Sequence, residues 1–125
     1  MTQQSAIVLF AHGARDPDWA QPFQKIQGMV RDKMPGVVVE LAFLELMQPT
    51  LDETVANLAA RGIKNIGVIP LFMAQGGHLK EDLPRKLAEI RRQHPTVSFR
   101  ISPPIGEVHG ILAAIAEWVC GEQDC

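Results

Sequence analysis

Two periodicities alternate along the chain. Ile7-Val8-Leu9-Phe10, Val37-Val38-Val39-Glu40-Leu41-Ala42-Phe43 and Ile66-Gly67-Val68-Ile69 are short, nearly continuous apolar runs, the pattern of strands covered on both faces. Between them, apolar residues recur at helical spacing. Trp19, Phe23, Ile26 and Val30 share one stripe, with Asp16-Pro17-Asp18 as a start signal and Pro35-Gly36 as a stop. Thr50-Leu51-Asp52-Glu53 reads as a capping box opening a second helix, whose inner face is Leu51, Val55, Leu58 and Ala59 and whose C-terminal stop is Gly62. Leu83, Leu87 and Ile90 predict a third helix that starts at Asp82-Leu83-Pro84 and is closed by Pro95. Val97, Phe99 and Ile101 alternate as a weaker edge strand, and Ile111, Ile115, Trp118 and Val119 mark a last helix. Met29, Met34, Met47 and Met73 are expected to fill the core.

The resulting order, βαβαβαβα, predicts an α/β fold: a single doubly wound, mostly parallel four-stranded sheet with helices on both faces, flavodoxin-like, formed by residues 1-125 as one domain. At 125 residues the chain is long enough for one real core. Its 46% apolar and 21% charged residues are those of an ordered globular protein. A net charge of −2 and a pI near 6.0 exclude a broad electrostatic footprint for nucleic acid. The longest uncharged stretches, 1–14 and 65–79, fall short of the roughly 20 apolar residues of a membrane span. Met1 to Ser5 lacks the basic start of a secretory signal. Cys120 and Cys125 sit too close together to staple distant elements. The expectation is a reduced, cytoplasmic protein with no nucleic-acid or membrane partner.

Ligands of open α/β sheets bind beyond the carboxyl ends of the strands, which here are the loops 12–17, 44–49 and 72–82. His12 and His78 follow the first and third strands, each near glycine, and Glu45 follows the second. Adjacent parallel strands lie about 4.8 Å apart, so if the first and third are neighbours the two imidazoles can converge on one ligand. Two histidines and a carboxylate with open positions suit weak, transient binding of a divalent transition metal, and equally suit proton acceptance from an acidic N–H. Glu45 has the alternative of capping the next helix, and Arg15 and Asp16 of pairing locally. Gly13, Gly76 and Gly77 allow close backbone approach to a large ligand. Lys80-Glu81-Asp82 reads as a solvated helix start and His94 as a surface helix end, whereas His109, after the fourth strand, fits either role. Other templates fail: the chain has no GxSxG, GxGxxG, Walker A loop or HExxH, and Ala11 stands where a histidine phosphatase would carry arginine.

The combination His12-Gly13-x-Arg15-Asp16-Pro17, Phe43-Leu44-Glu45, and Pro70-Leu71-Phe72 leading to Gly77-His78-x4-Leu83-Pro84 resembles the short form of the class II tetrapyrrole chelatases, the CbiX family of sirohydrochlorin cobaltochelatases and the related siroheme ferrochelatases. The resemblance runs from about Ile7 to Val119. It implies ATP-independent insertion of a divalent metal (cobalt, iron or nickel, as substrate) into sirohydrochlorin, in cobalamin or siroheme biosynthesis, with no tightly bound cofactor. It further implies a homodimer whose cleft lies between subunits. His12 and His78 match the family's metal-binding, proton-accepting histidines, and Glu45 an acidic position that assists. Gly13, Arg15, Leu44, Leu71, Phe72, Gln75, Gly76 and Gly77 are the residues expected against the macrocycle; Arg15, together with Lys80, suits its carboxylates by charge alone. Ala14 departs from the pattern, since relatives often carry serine there. Two alternatives stand beside this: a tetrapyrrole or metal carrier that does not turn over, and a flavodoxin-like interaction domain with incidental histidines.

Overall fold

β-Branched and aromatic runs place four strands side by side in one all-parallel sheet. The computed structural model describes residues 5–123. Its elements are β1 (Ser5–Ala11), a 3-10 turn (Pro17–Ala20), α1 (Gln21–Lys33), β2 (Val38–Phe43), α2 (Leu51–Ala60), β3 (Asn65–Pro70), α3 (Gly77–Gln93), β4 (Ser98–Ile101), a second 3-10 turn (Ile105–Glu107) and α4 (His109–Gln123). The strand order is β2-β1-β3-β4. β1 therefore pairs with both β2 and β3, from Ala6 opposite Val38 on one side and Ser5 opposite Asn65 on the other. β4 is an edge, as its weaker pattern predicts. No helix among the described residues is long and apolar enough to cross a membrane.

Side-chain alternation sorts the strand residues into two cores. Val8, Phe10, Ala42, Ile66 and Val68 point to the face covered by α2 and α3, where Leu51, Val55, Leu58, Leu83, Leu87 and Ile90 bury against them. Leu9, Ala11, Val39, Leu41 and Phe43 point to the other face, against Phe23 and Val30 of α1. Complete burial of a Phe, Leu, Ile or Val stabilises by about 1.5–3 kcal/mol, so the first core carries most of the fold.

The second face is covered only in part. Along one row of the sheet, Val39, Ile7, Gly67 and Arg100 stand opposite one another on β2, β1, β3 and β4. Val39 is buried, Ile7 and Gly67 are half-buried, and Arg100 is exposed. The last helix forms, but none of its residues is buried and it has no substantial packing against any strand.

The capping box is as expected: Thr50 Oγ1 accepts from the Glu53 N–H at 3.2 Å, and Glu53 Oε1 accepts from the Thr50 N–H at 3.1 Å. Gly62, at φ +85°, ends α2. Three expectations are corrected. Asp16 does act as an N-cap, accepting from the Asp18 N–H at 2.9 Å, but what it opens is the 3-10 turn, and the α-helix proper begins at Gln21. α3 begins at Gly77, five residues before Asp82, and Pro84 lies inside it. Leu79 extends the Leu83–Leu87–Ile90 stripe by one turn and packs on the core, which holds the helix together through the proline. Of the four methionines expected in the core, only Met47 packs against it; Met29, Met34 and Met73 are exposed.

Candidate functional site

The carboxyl ends of β1, β2 and β3 carry the polar groups singled out above. His12 follows β1 directly, and the backbone there is clamped to the loop after β2. The Leu44 N–H donates to the Ala11 carbonyl at 2.9 Å and the Glu45 N–H to the His12 carbonyl at 3.1 Å. Gly13 makes this approach possible. Its φ is +98°, and a Cβ there would sit 1.9 Å from the Glu45 carbonyl oxygen, well inside contact distance. The clamp brings His12 Nε2 to 3.2 Å from Glu45 Oε1. Both side chains are more than half exposed, 52% and 56%, so this pair stabilises the fold by at most about 1 kcal/mol. Glu45 caps no helix; Thr50 and Glu53 cap α2 without it.

The His12 ring leans on Phe72 from the loop after β3, edge to face, with centroids 6.1 Å apart. Phe72 is itself buried and meets Phe10 at 5.5 Å. Phe72, expected against a ligand, thus packs on Phe10 and supports the His12 ring. Leu44 and Leu71, also expected against a ligand, are half-buried and lean on the two cores. The exposed apolar side chains of the rim are instead Leu46, held at φ +65°, and Met73. Sequence patterning missed both, because an apolar residue in a loop carries no periodicity.

His78 stands in the first turn of α3, on the loop of the strand adjacent to β1, and is exposed. Among the described residues it hydrogen-bonds to neither His12 nor Glu45, and no three His, Cys, Asp or Glu side chains converge on a point that could hold a metal ion. The arrangement is an open rim with two imidazoles and a carboxylate, suited to passing a cation on and unsuited to caging it. Gly76 is the N-cap of α3, and neither it nor Gly77 is crowded. Arg15 is exposed and pairs with no carboxylate, Asp16 included, among the described residues.

Beside the rim, between α3 and β4, lies a groove of about 400 Å³ lined by Gln75, Lys80, Leu83, Leu87, Arg91 and Ser102. Lys80 and Arg91 set two cations over an apolar floor. Arg91 was not anticipated; starting the helix at Gly77 would have shown it three turns along the same face as Lys80. A second cavity, about 430 Å³, lies at the opposite, amino end of the sheet, and its lining among the described residues includes no histidine or carboxylate. The groups suited to metal or proton chemistry stand at the other end, and the candidate site is placed there.

Residues 6–121 match the CbiX family model. The chain is similar to the sirohydrochlorin cobaltochelatase of Methanopyrus kandleri, at 40% identity over 66% of this chain and 57% of that protein. It is also similar to the sirohydrochlorin cobaltochelatase of Sulfurisphaera tokodaii, at 32% identity over 90% of this chain and 89% of that one. The match spans less than two thirds of the length of the Methanopyrus, Methanosarcina and Methanococcus relatives, at 57%, 65% and 59%. Among solved structures, a CbiX protein from Marinobacter aquaeolei, described as a putative cobalamin biosynthesis protein, superposes with a TM-score of 0.82 at 31% identity, covering 96% of this chain and 98% of that one. The sirohydrochlorin chelatase SirB of Bacillus subtilis, solved with cobalt, gives 0.71 at 26% identity, covering 82% of this chain and 44% of SirB.

Proposed function

Because the chain belongs to the CbiX family, we propose that it inserts a divalent metal ion, cobalt or ferrous iron, into sirohydrochlorin without ATP or a tightly held cofactor. The observation that supports this reading is that His12, Glu45 and His78 lie on the segments following three adjacent strands, β1, β2 and β3, and are all exposed.

Metallation exchanges two pyrrolic protons for one dication, and the two protons must leave the ring as the metal enters. Neutral imidazole can hold a metal ion or a proton, but not both at one nitrogen. A histidine that gives up its metal is thereby free to accept a proton. His12 and His78 supply two such rings, matching two departing protons. Glu45, 3.2 Å from His12 Nε2, is in place to receive a hydrogen bond from that ring once it is protonated. Phe72 fixes the tilt of the His12 ring. Leu46 and Met73 offer apolar contact to a flat macrocycle, with Leu44, Leu71, Gly13, Gly76 and Gly77 shaping the wall behind them. The groove with Gln75, Lys80 and Arg91, together with Arg15, suits the substrate's peripheral carboxylates.

One rim gives a broad ligand a single wall. We therefore read the working unit as a homodimer of one-domain chains, with the cleft between two rims. The exposed thiol of Cys120 suits a reducing compartment such as the cytoplasm; Cys125 lies outside the described residues.

The test is anaerobic cobalt insertion into sirohydrochlorin, followed by absorbance with substrate in excess over protein. Many turnovers per chain, faster than the spontaneous reaction, are expected. Binding that saturates at one equivalent with no acceleration would make the protein a carrier, and no binding of either substrate would overturn the reading entirely.

A further inference from the structure

The loop between β2 and α2 holds a side chain that its own fold does not use. Residues 44–49 leave the sheet at Phe43 and return beside it, since the Phe43 N–H donates to the Pro49 carbonyl at 2.9 Å and Phe43 bridges to Thr50. The outgoing limb is clamped to β1 through the Leu44 and Glu45 N–H groups. Within this closed excursion the backbone turns through Leu46 at φ +65°, the one non-glycine residue at positive φ among the described residues. Leucine is poorly suited to that position. In the left-handed region its Cβ crowds the following carbonyl, a clash that glycine escapes and asparagine tolerates. Strain of this kind persists only where the surroundings hold it, and it gathers at ligand sites.

No burial within the chain offsets that strain. Leu46 is 58% exposed, whereas Leu44 and Met47 of the same loop pack on the two cores. The other exposed large apolar side chains lie on α4 or on α1 and its C-cap, with a single exception among the described residues, Met73 at 55%. Leu46 and Met73 flank His12. Glu45, the residue before Leu46, pairs with His12 Nε2 at 3.2 Å, and Phe72, the residue before Met73, supports the His12 ring. The Met73 backbone is fixed as well. The Gly106 N–H donates to the Phe72 carbonyl at 3.0 Å, at a point where a Cβ on Gly106 would strike the Met73 carbonyl oxygen at 1.6 Å. β1 lies between β2 and β3, so two strand spacings of about 4.8 Å set the two loops roughly 10 Å apart, with the His12 loop between them. Two apolar contacts on fixed backbone, astride an imidazole, suit a flat conjugated ring wide enough to touch both. They suit neither a bare cation nor a small anion.

We propose that Leu46 determines how the tetrapyrrole seats: with Met73 it forms a two-point apolar rest astride His12 that takes the conjugated face of the macrocycle, and the fold holds a leucine in left-handed backbone for that contact. The proposal rests on the chelatase reading above and names the side chains that seat its ring. It separates two kinds of recognition. Lys80 and Arg91 are placed for carboxylates, and salt screens such contacts. Leu46 meets carbon, and salt leaves that contact in place. The proposal also opposes stability to function at one residue, because relieving the strain strengthens the fold while weakening the seat.

The experiment measures cobalt insertion into sirohydrochlorin and the melting temperature for wild type, Leu46→Gly, Leu46→Asn, Leu46→Met and Met73→Ser. Glycine and asparagine accept φ +65° more readily than leucine, so both variants are expected to melt at or above the wild-type temperature. Both should raise KM for sirohydrochlorin about tenfold, the scale of burying part of one leucine side chain, and by the same factor at low and high salt. KM for cobalt should not move. Leu46→Met keeps an apolar side chain and should recover most of the loss, while Met73→Ser should raise KM severalfold. A wild-type KM in Leu46→Gly or in Met73→Ser would overturn the two-point seat. So would melting temperatures well below wild type in both Leu46→Gly and Leu46→Asn, which would make the leucine structural. A loss of chain association by Leu46→Gly in light scattering would assign the side chain to a contact between copies and contradicts the proposal too. Titration of metal-free sirohydrochlorin, read by its fluorescence, follows seating without insertion. A wild type that binds the ring about tenfold more tightly than Leu46→Gly, yet inserts no metal, would uphold the seat and overturn the chelatase reading alone. A wild type that binds no ring would overturn both.

Discussion

The two ends of the sheet teach opposite lessons about where function lies. The amino end has a hollow of about 430 Å³, whose polar lining among the described residues is Ser5, Asn65, Ser98 and Arg100. The carboxyl end carries His12 and Glu45, paired at 3.2 Å after β1 and β2, and His78 in the first turn of α3 after β3. Depth at the amino end follows from an uncovered half of a sheet face. Chemistry at the carboxyl end follows from parallel topology, which turns every βα loop toward one rim. A hollow locates missing packing; titratable groups on convergent loops locate reactivity.

The sharpest way to break this contrast is metal placement. Anomalous scattering from crystals soaked in cobalt is expected to show the ion at His12 or His78 and none in the amino-end hollow; the reverse pattern would overturn the contrast. Next in size is Phe72→Ala. Removing a buried aromatic ring costs about 3–5 kcal/mol of stability, read by denaturant unfolding, and it withdraws the support of His12. Gly13→Ala follows, because φ +98° and the clash with the Glu45 carbonyl strain the loop. A loss of about 1–3 kcal/mol in stability is expected, with a reduced insertion rate as the clamp opens. Glu45→Gln keeps the shape and removes the charge beside His12, and should slow insertion by about tenfold, or 1.4 kcal/mol, without lowering the melting temperature. The smallest effect belongs to Thr50→Ala. It breaks the capping box at a cost of about 1 kcal/mol, visible as a lower melting temperature, and should leave the insertion rate unchanged.

Much of this architecture was legible before any coordinates. Continuous apolar runs give parallel strands, and the Thr50–Glu53 box and Gly62 mark the limits of α2, because each is a local signal with a local cause. The start of α3 was not legible in the same way. Asp82-Leu83-Pro84 has the composition of a first turn, while Leu79, which anchors the true start, acts only through the tertiary core. Met29 and Met34 are exposed for a different reason: their expected place in the core rested on residue type alone, whereas Met29 lies off the Phe23–Val30 stripe and Met34 is the C-cap of α1. At the candidate site, the strand-end rule singles out His12, Glu45 and His78 from sequence alone. The 3.2 Å pairing of His12 with Glu45 depends on the β1–β2 register and on Gly13, and the burial of Phe72 depends on Phe10, so both required the folded chain.

The central claim is that two imidazoles share the work of exchanging protons for metal at one rim. Its most direct test is the initial rate of cobalt insertion into sirohydrochlorin for wild type, His12→Ala, His78→Ala and the double variant, each checked for an unchanged melting temperature. Each single variant is expected to be slower by about a hundredfold, the scale of a positioned proton acceptor. Wild-type rates in both single variants would contradict the claim.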